Sequence, residues 1–191
     1  PLVQASDDDG DTVAATGSVS VTVDDDMPRA LEGSSSGTVD EDGLAFGITL
    51  AQPGDVAGAA LTASGSVASL FASGADTPLA YSFSGVTGLS GLGLTSGGTL
   101  LTYALAGNVI TASAGTTVVF TMEIDPATGE WTFTLEDVLD HADGADENDI
   151  TINFGPLVQA TDDDGDTVAA TGSVAVTIDD DMPRISIIGP T

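Results

Sequence analysis

The residues that could do chemistry in this chain are aspartates, set in two patterns that each occur twice. Asp7-Asp8-Asp9-Gly10-Asp11 returns as Asp162-Asp163-Asp164-Gly165-Asp166, and Asp24-Asp25-Asp26 returns as Asp179-Asp180-Asp181, each triplet followed by Met-Pro. Alternate carboxylates on an extended or turning backbone fall to one side, and the glycine lets the chain curl round what they hold. Such oxygen sets suit hard divalent cations, calcium above all, which takes six to eight oxygens in a loose shell. The loops lack the later glutamate of a helix-flanked EF-hand, and the glycine-rich nonapeptide of calcium β-rolls is absent. With no cysteine, thiolate metal sites and a disulfide scaffold are excluded.

Both patterns belong to a longer repeat. Pro1 to Arg29 matches Pro156 to Arg184 except at Ser6/Thr161, Ser20/Ala175 and Val23/Ile178, an offset of 155 residues. A near-copy at so long an offset predicts a tandem array of whole domains. The expected division is 1–28 as the C-terminal strand region of a preceding repeat, 29–183 as one complete repeat, and 184–191 as the start of the next or a tail. Between the acidic patterns Val19, Val21 and Val23 alternate with Ser18, Ser20 and Thr22, the period of a half-buried strand. Read as one strand from Val13 to Val23, at ~3.3 Å per residue, it separates the two clusters by roughly 35 Å. One pocket cannot hold both.

The charge balance narrows the partners. Thirty acidic residues face two arginines and no lysine, for a formal charge of −28. Nucleic acid and anionic membrane surfaces are repelled by such a body, and cations are attracted. The chain is still 41% hydrophobic, too apolar for a disordered polyanion. A repeat of this size can bury about two-thirds of its unfolded surface and form a core without staples. No apolar run reaches the length of a membrane span, and no basic-then-apolar leader is present.

Short alternating segments punctuated by glycine and aspartate predict an all-β fold, an antiparallel Ig-like β-sandwich with Greek-key connections. Expected strands cover Phe46 to Leu50, Val67 to Phe71, Leu79 to Phe83, Leu101 to Leu105, Val109 to Ala112, Thr116 to Ile124, Trp131 to Leu135, Asp149 to Phe154 and Leu157 to Ala160. Gly107-Asn108 and the Pro-initiated turn from Asp125 to Glu130 read as hairpin connections. Ala30 to Gly37, small and polar, reads as a connector. Trp131 and Phe133 read as core, with sugar stacking the lesser alternative for Trp131.

Alternating strand direction sorts the acids onto two ends of the sandwich. If the strand from Val168 to Ile178 runs from a linker pole to a distal pole, Asp162 to Asp166 and the Asp125 turn lie at the linker pole, facing Asp24, Asp25 and Asp26. Asp143, Asp146, Glu147 and Asp149 then lie at the distal pole beside Asp179, Asp180 and Asp181. The predicted calcium ligands are these loop and linker acids: Asp125, Asp162, Asp164, Asp166, Asp24, Asp25 and Asp26 at one pole, and Glu147, Asp149, Asp179, Asp180 and Asp181 at the other. Asp7, Asp9 and Asp11 form the corresponding set in the first copy. Asp40-Glu41-Asp42 is a third acidic knot whose ligand role stays open. His141, the single histidine, reads as an exposed loop or packing residue, and no arrangement of nucleophile and base accompanies it. Glycoside hydrolysis needs two carboxyls across a cleft, whereas these acids crowd together, so no enzymatic activity is expected. Arg29 and Arg184 are expected to pair with neighbouring aspartates.

In their order, several motifs resemble the long extension repeats of giant repeats-in-toxin adhesins exported by type I secretion in Gram-negative bacteria. They are Gly129-Glu130-Trp131-Thr132-Phe133-Thr134-Leu135, Leu139-Asp140-His141, Glu147-Asn148-Asp149-Ile150-Thr151, Thr161 to Thr167, and Val176-Thr177-Ile178-Asp179-Asp180-Asp181-Met182-Pro183. The resemblance implies calcium-rigidified sandwiches strung end to end on the bacterial surface, projecting a distal binding region, with neighbouring repeats and calcium as partners. It is also similar to cadherin logic, in which linker aspartates share calcium with an Asp-x-Asp of the next module. Carried across, the linker set is Asp24 to Asp26 with Asp162, Asp164 and Asp166. A module that itself binds a surface glycan or protein is the alternative. A strand-swapped homo-oligomer through residues 1–28 is also expected to be accessible, because a strand without its sheet has an open edge.

Overall fold

The computed structural model describes residues 3–47, 59–142 and 148–181. In chain order the strands are β1 (Gln4–Ser6), β2 (Thr12–Ala14), β3 (Arg29–Ala30), β4 (Ser34–Asp40), β5 (Thr62–Ser66), β6 (Phe71–Ala72), β7 (Ala80–Phe83), β8 (Thr95–Ser96), β9 (Thr99–Ala106), β10 (Val109–Ala114), β11 (Thr117–Ile124), β12 (Glu130–Leu135), β13 (Ile150–Asn153), β14 (Val158–Thr161), β15 (Thr167–Ala169) and β16 (Ser173–Asp179). Helical structure among the described residues is limited to 3-10 turns, and no helix is long and apolar enough to cross a membrane.

The fold is an all-β sandwich. One layer is a sheet in the order β5-β12-β11-β10-β9-β8; facing it are two three-stranded sheets, β13-β16-β4 and β15-β14-β7. Alternation explains the large sheet, since Trp131, Phe133 and Leu135 on β12 and Phe120, Met122 and Ile124 on β11 all point inward and are fully buried. Val174, Val176 and Ile178 of β16 meet them from the other layer with Ile152 of β13. Phe154 joins the layers, its ring 6.2 Å from Phe120 and 6.1 Å from Phe133. The hairpins at Gly107-Asn108 and Asp125 to Glu130 form as expected.

Four expectations are corrected. Ala30 to Gly37 is no connector, because Ser34 onward is strand β4, paired parallel with β16 from Ser34↔Ser173 to Asp40↔Asp179. That pair is the exception in an otherwise antiparallel set. Its small residues permit close layer contact: a Cβ on Gly37 would stand 2.8 Å from Ala63 Cβ and 3.1 Å from the Trp131 ring, and Ser35 Oγ accepts the Trp131 indole N–H at 2.8 Å. The single strand expected from Val168 to Ile178 is two strands, β15 and β16, in different sheets; the chain changes sheet over residues 170–172, where the Ser173 amide donates to Gly33 O. Val67 to Phe71 is mostly a 3-10 turn, Ala68–Leu70, which Ser66 starts by accepting the Ala68 N–H. Phe46 is a fully exposed turn residue with φ 83°, not a strand start, and 48–50 lie outside the described residues.

The two copies of the repeated segment differ in context. The hairpin β1–β2 has the register of β14–β15, with Gln4↔Ala14 matching Gln159↔Ala169. Residues 18–24, the counterpart of β16, form no ladder. Val19, Val21 and Val23 are 81%, 83% and 87% exposed, whereas Val174, Val176 and Ile178 are 0% exposed. Strand formation in this stretch comes from the cleft between β13 and β4, since nearly the same residues without a cleft remain irregular.

The Gly37 contact gives a direct test of the layer spacing. Gly37→Ala is expected to destabilise the fold by about 1–3 kcal/mol through overpacking. Gly17→Ala, where a Cβ meets nothing within 4 Å, should stay within about 0.5 kcal/mol. Thermal melts of the two variants make the comparison.

Candidate metal centres

At the linker pole β14 ends in the loop Asp162 to Asp166 and returns as β15. The loop is closed by the Asp162 amide donating to Asp166 O at 3.0 Å, while Asp162 Oδ1 accepts the amides of Gly165 (3.1 Å) and Asp166 (2.8 Å). This ties one Asp162 oxygen into the turn. The other, Oδ2, is buried without a hydrogen-bond donor, on a residue only 6% exposed. An acceptor left so is costly unless a proton on a neighbouring carboxyl or a cation supplies the missing partner.

The linker brings a further carboxylate to this loop. Pro28 is buried, β3 pairs with β6, and Asp26 Oδ2 accepts the Ala75 amide at 2.7 Å. Gly74 makes room for that contact, since a Cβ there would stand 2.5 Å from Asp26 Oδ2. With the linker so anchored, oxygens of Asp25, Asp164 and Asp166 lie within 4.8 Å of one another. The carboxyl of Asp164 is pushed up to about 6 by its hydrogen bond to Asp162, then by burial and the charges of Asp25, Asp162 and Asp166. Asp166 is raised by sharing a hydrogen bond with Asp25, then by burial and the charges of Asp25, Asp162 and Asp76. Like charges this close favour a shared proton or a bound cation.

Of the predicted linker-pole set, Asp25, Asp162, Asp164 and Asp166 converge. Asp26 is engaged by Ala75, and Asp24 belongs to no such group among the described residues. Asp125 lies at the same end, since Tyr81 donates to Pro126 O beside the Ala80↔Thr161 pair. Its carboxylate is turned to the Thr128 and Ala127 amides, which hold it below the usual range. Asp76, near Asp166, carries no motif that would have marked it.

In the first copy Asp7, Asp9 and Asp11 repeat the loop, with the Asp11 amide donating to Asp7 Oδ1 at 2.9 Å and all three carboxylates within 4.8 Å. Here Asp7 is held low, chiefly by its hydrogen bond with Asp9, and the three residues are exposed. Among the described residues no linker aspartate joins this group.

The distal pole is built differently. Parallel pairing sets Asp40 beside Asp179, and the antiparallel pair Ile150↔Ile178 brings Asp149 alongside. Asp179 is raised by burial first, then by the charges of Asp149 and Asp40. Asp40 starts the 3-10 turn Glu41–Gly43 by accepting the Asp42 amide at 2.9 Å.

His141 is neither exposed nor simple packing. Its Nε2 is 3.3 Å from Glu41 Oε1, both side chains are buried, and its Nδ1 bonds Asn148 O. Burial, the largest single influence, opposes its charge. The Glu41 hydrogen bond, the Asn148 carbonyl and the charges of Glu41 and Asp180 together outweigh it, and the imidazole is pushed up to about 9. Glu41, His141 and Asp180 therefore form a mixed cluster within 4.8 Å that carries its own cation. Asp181 follows Asp180 at the end of the described chain; Glu147, with Asp143 and Asp146, lies outside the described residues. Arg29 makes no ion pair among the described residues, and Arg184 lies beyond them.

Each residue of Leu139-Asp140-His141 holds a different part of the fold. Leu139 is core and its amide donates to Glu41 Oε1 at 2.7 Å. Asp140 clamps the β8–β9 turn through the Gly97 and Gly98 amides, and His141 neutralises Glu41.

A family profile, a domain of unknown function (DUF5801), matches residues 37–175. The match covers most of the chain, which belongs to that family. No curated protein and no solved structure matches the chain.

Two outcomes check the electrostatics. Asp164 holds a proton in the folded state that the unfolded chain releases near 3.8, so its contribution is present below that value and lost as pH rises through about 6. In chelator the melting temperature should fall between about pH 4 and pH 6, and calcium should suppress the fall. Separately, His141→Ala strands Glu41 in the core and should cost about 3–5 kcal/mol, read from denaturant unfolding.

Proposed function

We propose that the chain is a structural extender unit of a large bacterial surface adhesin of the repeats-in-toxin class, in which calcium fixes the linker to the sandwich that follows it. The observation that carries this reading is the meeting of Asp25 from the linker with Asp164 and Asp166 of the β14–β15 loop, beside the buried, donorless Oδ2 of Asp162. All donors there are oxygens, the set that calcium prefers and that softer metals do not require. The adhesin class, type I export and surface location rest on the motif resemblance and on the repeated segment.

Mechanically, the ion would join groups on two bodies. From Asp26 onward the linker is already held by the Ala75 amide and the β3–β6 pair. A cation on Asp25 extends that anchoring to the point where the preceding segment leaves and cancels the repulsion pushing it away. Repeated along an array, such joints turn a flexible string into a rod.

A calorimetric calcium titration of the chain tests this beside Asp162→Asn/Asp164→Asn/Asp166→Asn and Asp25→Asn. The triple variant should lose the tightest site and Asp25→Asn should weaken it. For the unmodified chain, calcium at a hundred times its dissociation constant should add about 2.7 kcal/mol of stability. Identical isotherms for all three proteins would leave the acids as solvating surface.

A further inference from the structure

Residues 3–24 duplicate the segment that completes the sandwich, and among the described residues only the hairpin half of that copy is paired. β1 and β2 reproduce the β14–β15 hairpin, but in residues 18–24 the alternating Val19, Val21 and Val23 are more than four-fifths exposed. The surface that would cover them is visible elsewhere in the molecule. β16 lies between β13, antiparallel, and β4, parallel, with its valine face closed against the large sheet. We infer that residues 18–24 are a donor strand for the β13–β4 cleft of a second copy of this sandwich, taking the place of β16 when that place is vacant.

The fit follows from the substitutions. Ser20 for Ala175 falls at a half-buried position, and Val23 for Ile178 removes one methylene from a fully buried one. The donor therefore keeps the pattern and register but fills the cleft slightly less well than the resident strand. The resident is also tethered at high effective concentration, so intact chains keep their own β16.

The donor is directed away from its own cleft. Strand β16 begins at the linker pole and ends beside Asp40, so a donor in the same cleft would carry Asp24 to the distal pole, roughly 20 Å away by strand rise. That would strip Asp26 from Ala75 and β3 from β6. A second molecule can accept the strand without breaking either, and reciprocal donation closes a two-fold dimer. In a tandem chain the adjoining sandwich offers the same cleft. None of this depends on calcium.

The test uses the full chain. Val176→Asp/Ile178→Asp disables the resident strand, and Trp131, whose indole bonds Ser35 on β4, reports closure of the sandwich by its emission. That variant should fold as a dimer whose melting temperature falls on dilution, in chelator as in calcium. Adding Val21→Asp/Val23→Asp to it should abolish the fold, while Val21→Asp/Val23→Asp alone should match the unmodified chain in mass and melting. The inference is overturned if Val176→Asp/Ile178→Asp is unfolded or monomeric, or if the fourfold variant behaves like it.

Discussion

The parallel pairing of β4 with β16 is the interaction on which the rest of the molecule depends. It spans seven residue pairs and joins segments more than a hundred residues apart in the chain. Its start puts Gly33 against Gly172, where the chain changes sheet, and its end puts Asp40 against Asp179. The first contact places the linker near the β14–β15 loop, and the second assembles the distal acids. A slip of one residue would turn Val39 out of the core and move both poles together. The serines and Gly37 of β4 are thus structural residues, chosen for how closely they let two layers approach.

With only two arginines to offset thirty acidic residues, the chain places its carboxylates in three distinct settings. Asp125 is held below the usual range by donors of its own turn, the Thr128 amide leading, and Asp140 by the Thr95 side chain first and then by amides of the β8–β9 turn. They act as caps and clamps. Glu41 is matched by the one histidine. Asp164 and Asp166 are raised because neighbouring carboxylates press on them without a compensating cation, and Asp179 is raised by burial and the charges of Asp149 and Asp40, which the His141 charge only partly offsets. The direction of shift separates acids that already have partners from acids whose partner is a proton or a metal ion. By that measure the linker pole has the stronger claim to an ion, since the distal pole already holds His141.

Much of this was legible in the sequence where local pattern and turn chemistry agree. The β9–β10 and β11–β12 hairpins follow from alternation around Gly107-Asn108 and Pro126. The two poles follow from strand direction alone, and Asp25 does meet Asp164 and Asp166. What stayed hidden was set by distant contacts. The run Ala30 to Gly37 looks like a linker because nothing local marks a strand that pairs in parallel with residues far along the chain. Glu41 and His141 are separated by 100 positions, so neither motif announces the other. Asp125, also expected as a ligand, has its Oδ1 held by the Ala127 and Thr128 amides of the Pro-initiated turn and joins no carboxylate group among the described residues. The alternation from Val168 to Ile178 is real, but alternation cannot show where a strand leaves one sheet for another.

The duplicated segment isolates what context adds to sequence. The acidic loop closes on itself in both copies through the same backbone bonds, Asp7 to Asp11 and Asp162 to Asp166. Its conformation is local and owes nothing to the sandwich. What differs is whether a carboxylate arrives from elsewhere: Asp25 reaches the second loop, and only there is the first aspartate buried. A loop with three exposed carboxylates is a surface feature, hydrated and screened by salt. A ligand contributed by the linker would make an ion held there a joint, because its binding energy would then depend on where the linker lies. Any stiffness such a joint conferred would reside in the linker, with the preformed loop as the surface to which the linker is fixed.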